Sequence, residues 1–358
     1  MTQRKILFFD SKSYDEKTFK SALKTLNAQD KLHFTFLESK LNEETIIEAQ
    51  GYDGLCLVNS DARNSNVMDK IHKLCETVKI IALRSAGYSG SSVNIVKQYG
   101  LQVCRVPSYS PHAVAEHSLA LLLSLNRNMH RAYFRTKLHN FTLDGLVGID
   151  LFGKTVGIIG IGSVGLCAVK IFLGFGCKVL AYDIKPIDTI AKEHGFQYVS
   201  MDELLQESDI EHGFQYVSMD ELLQESDIVS LHAPMHESTY HLINKEALDK
   251  MKHSAMLINT SRGPLVDANA LVNCLKAGKL RGAALDVYEF EDKYFYNDFS
   301  QRVMDDDTLA RLISMPNTIV TSHQAFLTEE ALKNIAESIV QSLLDFFNGS
   351  QTNTSKVE

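Results

Sequence analysis

The sequence predicts an α/β protein of two doubly wound parallel-sheet domains, and three observations carry that expectation. Short β-rich runs alternate with helix-compatible segments over the first hundred residues, and a second series of the same kind starts at Lys154. A glycine turn joins the first strand of that second series to an apolar helix. Alternation of strand and helix along the chain builds a parallel sheet covered on both faces. With 358 residues, 45% of them hydrophobic, the chain has enough apolar surface for two cores.

In the first series the strands are Lys5–Phe9, Leu32–Leu37, Gly54–Val58, Val78–Leu83 and Val103–Val106, with a helix over Asp15–Leu26. These runs have the length and β-branched or aromatic content of buried parallel strands. A long helical segment, about His112 to Lys137, follows, and its leucine-rich first half requires a cover. The second series reads KTVGIIG, KVLAYD, IVSLHA, AMLINT, GAALDV and TIVTSH. Leu332, Ile335, Ile339, Leu343 and Phe346/Phe347 recur at helical spacing and predict a closing helix over Glu329–Asn348. The polar tail QTNTSKVE is expected to be disordered.

One segment interrupts the second series. EHGFQYVSMDELLQESDI occupies residues 193–210 and recurs without a change at 211–228. Solenoid repeats diverge and need at least three units, so this is a single tandem duplication. Each copy holds a β-prone FQYVS and a capping-box start, Ser200 to Glu203 or Ser218 to Glu221, before a helical ELLQES. The sheet has one slot for that strand and helix. One copy is expected to fill it and the other to form a helix-containing surface excursion, and continuity with Ile228-Val-Ser-Leu favours the second copy in the slot.

Charge and composition exclude several function classes. A net charge of −8 and a pI near 5.9 lack the basic face needed to grip nucleic acid or anionic lipid. The most apolar stretch, AVAEHSLALLLSL from Ala113, is interrupted by Glu116 and His117 and closed by Arg127, well short of the ~20 apolar residues of a membrane span. The amino terminus MTQRKILFFD has neither an h-region nor a cleavage site. Six cysteines, Cys56, Cys75, Cys104, Cys167, Cys177 and Cys274, have no CxxC spacing and read as buried small hydrophobes in a reducing compartment. A cytoplasmic protein acting on a small molecule is the expectation.

The glycine turn identifies the first part of a site. The strand Thr155-Val-Gly-Ile-Ile runs into Gly160-Ile-Gly-Ser-Val-Gly165 and then the helix LCAVKIFLGF. In that context Gly160 permits the tight turn, Gly162 lets the backbone approach a pyrophosphate, and Gly165 lets helix and strand pack closely. The helix N-terminus adds amide donors and a positive dipole end. The next strand ends at Asp183, 18 residues past Gly165, where a carboxylate binds the adenosine ribose hydroxyls and repels a 2′-phosphate. This Rossmann-type pattern favours NAD over NADP, with Lys185 nearby as the opposing feature.

Three polar residues then fall near strand carboxyl ends: Arg262 in LINTSRGPLVD, Glu291 in ALDVYEFE and His323 in TIVTSHQAF. In an α/β sheet these ends collect at the ligand crevice. Reduction of a 2-oxo acid needs a cation for the carboxylate and an acid for the developing alkoxide. Arginine's planar fork suits the first task. Histidine suits the second, and a neighbouring carboxylate favours its protonated ring; Glu291 is the candidate.

Taken together, LRSAGYSG (83–90), RVPSYSPHAVAEHSLALLLSLNR (105–127), DLFGKTVGIIGIGSVG (150–165), SLHAP (230–234), MLINTSRGPLVD (256–267), AALDVYE (283–289) and SHQAFLTEEAL (322–332) make the chain resemble the D-isomer-specific 2-hydroxyacid dehydrogenases. The resemblance spans nearly the whole length and is strongest toward the fermentative D-lactate dehydrogenases. It implies an NAD domain, residues 108–326, inserted in a flavodoxin-like substrate domain made of residues 1–107 and 327–358, with the crevice between them. It implies NADH-dependent reduction of pyruvate to D-lactate by the triad Arg262, Glu291 and His323. By the same resemblance Ala86 and Gly87 hold the substrate carboxylate through backbone amides, and Tyr109 and Phe326 flank the substrate. Gly160, Gly162, Ser163, Val164, Gly165, Asp183, His232, Ala233, Pro234, Asn259, Thr260 and Asp286 line the cofactor, Asp286 at the nicotinamide end. No metal is implied, and the assembly is expected to be a homodimer or homotetramer with the helix beginning near His112 in the interface. Two residues depart from the family pattern: Ser322 replaces the proline usual before the histidine, and Phe326 stands where some members carry tyrosine. Three rival readings remain: a relative acting on a bulkier 2-oxo acid, an NAD-sensing binding protein of the family's corepressor branch, and a relative left inactive by the duplication.

Overall fold

Each pairing between strands is parallel, in two separate sheets. The computed structural model describes residues 3–58, 61, 64–86, 90–184 and 214–350. The chain divides into two units, Met1–Ser110 with Phe326–Glu358, and Pro111–Ala325. Tyr109 and Phe326, which the sequence places in the inserted domain, therefore both belong to the first unit.

The first unit holds β1 (Arg4–Phe8), α1 (Ser13–Thr25), β2 (Leu32–Phe36), β3 (Gly54–Leu57), α2 (Ser65–Leu74), β4 (Ile80–Leu83), α3 (Gly90–Gln98) and β5 (Gln102–Arg105). The sheet order is β2-β1-β3-β4-β5. Alternate residues serve opposite faces, as strand geometry requires. Leu7, Leu55, Leu57, Ile81 and Leu83 pack into one core with Val67, Met68 and Ile71 of α2. Ile6, Phe8, Cys56, Ile80 and Ala82 pack into another, roofed by Phe19 and Leu23 of α1 and by Ile335, Ile339 and Leu343. The last three lie on the closing helix, Glu329–Phe347, capped by Thr328, whose side chain accepts from Ala331 N.

The second unit begins with two helices, α4 (Pro111–Asn126) and α5 (Met129–Lys137). The sequence predicted one helix over this span. It breaks because Asn128 takes φ +49°, a left-handed conformation that asparagine tolerates better than most residues. There follow β6 (Thr155–Ile159), α6 (Ser163–Gly174), β7 (Lys178–Tyr182), β8 (Gln215–Tyr216), α7 (Met219–Glu225), β9 (Ile228–Leu231), α8 (Lys245–Lys250), β10 (Met256–Asn259), α9 (Ala268–Lys276), β11 (Gly282–Leu285), α10 (Asp307–Ser314) and β12 (Thr318–Val320). The order β12-β11-β10-β9-β6-β7-β8 is doubly wound, with the direction of winding reversing between β6 and β9. The cover for the leucines of α4 comes from within this unit: Leu121, Leu122 and Leu125 share a core with Ala168, Val169 and Phe172 of α6 and with Val156 and Ile158 of β6.

The second repeat copy supplies β8 and α7. Gln215 and Tyr216 pair with Leu180 and Ala181 of β7 at the sheet edge. Ser218 caps the helix by accepting from Glu221 N, and Leu222 and Leu223 are buried in the core. The first copy, expected as a surface excursion, and the tail 351–358 lie outside the described residues. All six cysteines are free, and all but Cys167 are buried. Burial pushes the Cys56 thiol up to about 12 and that of Cys177 to about 11, which suppresses the reactive thiolate. Among the described residues no helix is long and apolar enough to cross a membrane.

Candidate active site

The reversal between β6 and β9 is where an open α/β sheet binds its ligand. Gly160 leaves β6 with φ +94°, and a Cβ there would sit 2.5 Å from the Ala233 amide nitrogen. A Cβ on Gly165 would lie 2.0 Å from the Gly160 carbonyl oxygen, while one on Gly162 would meet nothing within 4 Å. Two of the glycines are thus demanded by packing, and the third faces open space at the helix N-terminus. Ser163 and Val164 form the first turn of α6 there, with their amides among the groups a helix end cannot satisfy internally. Asp183, just past β7, accepts from Ile161 N at 2.7 Å, so its carboxylate braces the glycine turn.

Across the switch point, His232 N donates to Ile159 O at 2.7 Å, tying the segment His232-Ala233-Pro234 to β6. Burial pushes the His232 imidazole down to about 4, so the ring is neutral near pH 7. Its Nε2 lies 2.9 Å from Ser230 Oγ. Among the described residues its Nδ1, buried, finds no partner, nor does Thr260 Oγ1 beyond β10. A buried polar atom without a partner costs about 1–3 kcal/mol. A dinucleotide in this crevice fits what the residues show: a glycine cradle, a helix N-terminus, the Asp183 carboxylate beside the glycine turn and two buried polar atoms without a partner among the described residues.

His323 and Glu291 are brought together directly, with His323 Nδ1 2.6 Å from Glu291 Oε1. The other carboxylate oxygen accepts from Tyr288 N at 2.8 Å, which fixes the glutamate. Nε2 is the imidazole edge left for a reactant. The two side chains are 30% and 20% exposed, enough for a small molecule to reach the ring. His323 adopts φ +51°, and its backbone is held at both ends: its N–H donates to Asp286 O at 2.6 Å, and its carbonyl accepts from Tyr296 OH at 2.8 Å.

Asp286 is fully buried. One of its oxygens accepts from Thr321 Oγ1 at 2.6 Å and Gln324 N at 2.9 Å, the other from Ala325 N at 2.8 Å. His117 Nε2 stands 3.4 Å from the first oxygen. Burial works to raise its proton affinity, but these hydrogen bonds outweigh burial and hold the carboxyl below the usual carboxylate range.

Arg262 follows β10 on a loop braced by Asn259, whose amide donates to Arg262 O at 2.9 Å and whose Oδ1 accepts from Ser261 N at 3.0 Å. Ser261 Oγ donates to Ala233 O, linking this loop to the cofactor side. The Arg262 guanidinium donates to Ser261 O at 2.7 Å. Arg262 does not join the His323–Glu291 pair by a direct bond; the following Gly263 presses on the Tyr288 backbone, where a Cβ would lie 2.1 Å from its carbonyl carbon.

In the first unit, Ala86 lies in the loop after β4, where its carbonyl accepts from Arg105; Gly87 is outside the described residues. Tyr109 meets Phe326 edge-on, ring centroids 6.4 Å apart. Sequence reasoning missed Tyr288, Tyr296, Thr321 and His117, the residues that hold Glu291, His323 and Asp286. Tyr288 and Thr321 carried a local signal, their places within the motifs containing Glu291 and His323.

The family model of the D-isomer specific 2-hydroxyacid dehydrogenase NAD-binding domain matches residues 119–211 and 210–325, breaking at the junction of the two repeat copies. The D-lactate dehydrogenase of Escherichia coli is 38% identical over 345 residues, covering 96% of this chain and 97% of that protein.

The chain belongs to the D-isomer-specific 2-hydroxyacid dehydrogenase family.

The aromatic 2-oxoacid reductase of Clostridium sporogenes is 40% identical over 299 residues, 83% of this chain and 84% of that protein. The apo-structure of the E. coli D-lactate dehydrogenase aligns with a TM-score of 0.82 at 35% identity, covering 99% of this chain and 100% of that one. As a member of this family the protein is an NAD-dependent dehydrogenase, and its second unit carries the NAD-binding domain.

Proposed function

We propose that this 2-hydroxyacid dehydrogenase reduces pyruvate to D-lactate, with His323 as the acid, Glu291 as its orienting carboxylate and Arg262 as the carboxylate-binding cation. The observation that carries the reading is the 2.6 Å contact between His323 Nδ1 and Glu291 Oε1. That contact orients the ring and leaves Nε2 to deliver a proton to the carbonyl oxygen. NADH, when bound, supplies the hydride. In the oxidative direction the neutral ring takes the hydroxyl proton at the same nitrogen. Arg262 offers a permanent charge and a planar fork to the substrate carboxylate.

Likeness to a D-lactate dehydrogenase over nearly the whole chain supports the small substrate. The likeness to an aromatic 2-oxoacid reductase favours a second reading, a bulkier 2-oxo acid. A steady-state screen of 2-oxo acids with NADH, comparing kcat/KM for pyruvate and for phenylpyruvate, decides between them. His323→Ala is expected to abolish turnover and to leave the NADH Kd within about twofold, because the histidine acts on the carbonyl and not on the nucleotide. A parallel collapse of NADH affinity would overturn the assignment.

The protein is proposed to work as a homo-oligomer in the cytoplasm, with the helical region that begins near His112 in the interface. Tyr133, Phe134 and Leu138 in the second part of that region are exposed, which supports the reading.

A further inference from the structure

A second histidine–carboxylate pair lies outside the triad. Glu289 Oε1 accepts from His241 Nε2 at 2.8 Å and from Tyr240 OH at 2.9 Å. The glutamate side chain is only 9% exposed, so these two donors supply what water would otherwise give it. Tyr240 and His241 stack, ring centroids 3.9 Å apart and planes 17° from parallel, which aims both donors at one oxygen. His241 holds φ +49°, a left-handed conformation unfavourable for a non-glycine residue, so the surrounding contacts must enforce it.

Those contacts form a closed ring of three chain segments. His241 N donates to Pro264 O at 2.8 Å, and Ile243 N to Leu265 O at 2.9 Å, so the segment after Tyr240 runs beside the loop carrying Arg262. Gly263 of that loop is pressed against the next turn, where a Cβ would lie 2.1 Å from the Tyr288 carbonyl and 2.5 Å from Glu289 N. That turn carries Glu291, pinned by Tyr288 N. Glu289 closes the ring by returning to His241. Two sides of the ring are backbone contacts, one of them open only to glycine at position 263; the third depends wholly on Glu289 and its two donors.

We propose that His241 and Glu289 are positioning residues that lock the Arg262 loop to the Glu291 turn, setting the geometry of substrate carboxylate binding and proton delivery without touching the substrate. The inference rests on the roles proposed above for Arg262 and Glu291. A displacement of about 1 Å between groups that act together can cost on the order of 100-fold in rate, so loss of this contact should appear in catalysis before it appears in folding.

The test uses His241→Phe, which keeps the stacked ring but not the donor, together with Glu289→Ala, Glu289→Gln and the double variant H241F/E289A. For the best 2-oxo acid in the screen, H241F and E289A are expected to lose about tenfold or more in kcat/KM, shared between a higher KM and a lower kcat. NADH Kd should stay within about twofold. E289Q keeps an oxygen for both donors and should retain most activity, and the double variant should be no worse than the poorer single one, because both remove the same contact. Unchanged kcat/KM in H241F, or a loss in E289Q equal to that in E289A, overturns the proposal. A loss of NADH affinity matching the loss of kcat/KM also overturns it, since a general weakening of the fold would do the same. Should E289A not fold, H241F and E289Q carry the test. Arg262→Ala separates the two levels: if it leaves kcat/KM unchanged, the proposed role of Arg262 fails; if it abolishes activity while H241F is silent, only the positioning inference fails.

Discussion

Replacing Asp286 by asparagine exchanges one carboxylate oxygen for an amide nitrogen at the most heavily bonded carboxylate described here. The aspartate gives its acceptors to Thr321 Oγ1, Gln324 N and Ala325 N, and an asparagine has one oxygen for the two sides. Whichever way the amide turns, at least one backbone N–H faces an NH2 group. The loss is a hydrogen bond to a charged acceptor, about 1.5–3 kcal/mol, together with a buried donor left unmet, about 1–3 kcal/mol. Because the two overlap, a destabilisation of about 2–4 kcal/mol is expected at pH 7. It should be read from the urea midpoint with the m-value checked for constancy. The sign with pH follows from the carboxyl being held below its usual range. Its contribution is fully present above the unfolded value of about 3.9 and is lost as pH falls through the lower folded value. The gap between wild type and D286N should therefore hold from pH 8 to pH 5 and narrow below about pH 4. The same bonds shape the turn that carries His323, so kcat should fall by about 100-fold. A variant within 0.5 kcal/mol of wild type, as a surface change would be, with normal kcat, would refute this account of the turn.

Three further outcomes are expected. Asp183→Ala removes both the acceptor for Ile161 N and the charge facing the ribose, and should lower the NADH-to-NADPH preference in kcat/KM by about tenfold; an unchanged ratio assigns discrimination elsewhere. Gly165→Ala places a methyl 2.0 Å from Gly160 O, forces α6 away from the turn, and should weaken NADH binding tenfold or more at a stability cost of about 1–3 kcal/mol; isothermal titration and thermal melts report both. Deleting Glu211–Ile228 joins Ile210 to Val229 and regenerates the sequence now read at the β9 junction, so Tm and NADH Kd should match or better those of the full chain, and failure to fold would show that both copies are needed.

Strand positions were legible because a strand buried on both faces is a continuous apolar run. Their ends were not: Phe9, Val58, Val106 and the segment His232-Ala233 continue the apolar pattern but leave the sheets to form loops. The glycine turn was readable because strand, turn and helix are adjacent in sequence. Arg262, Glu291 and His323 were readable as polar residues near strand ends, where the topology gathers ligand-facing groups. What holds them was not. His117 reaches Asp286 from α4, and Glu289 meets His241 across 48 positions, and no local periodicity records a contact made only by the packing of distant segments. The helix break at Asn128 has a rationale after the fact, yet Asn126, two positions away, is helical and buried, so residue type alone could not have located it.

The repeat unit ends on Ile228, the residue that opens β9, and its counterpart in the first copy is Ile210. Loss or gain of a whole unit therefore leaves the same isoleucine in front of Val229. The repeat boundary and the strand register coincide: with one copy or two, the same strand–helix sequence stands before Val229, and the second copy places it beside β7. Among the described residues β8 is the edge strand, separated by β7 and β6 from β9 and so from the strands that lead to His232, Arg262 and His323. An edge so placed offers room for 18 further residues with the register of those strands unchanged.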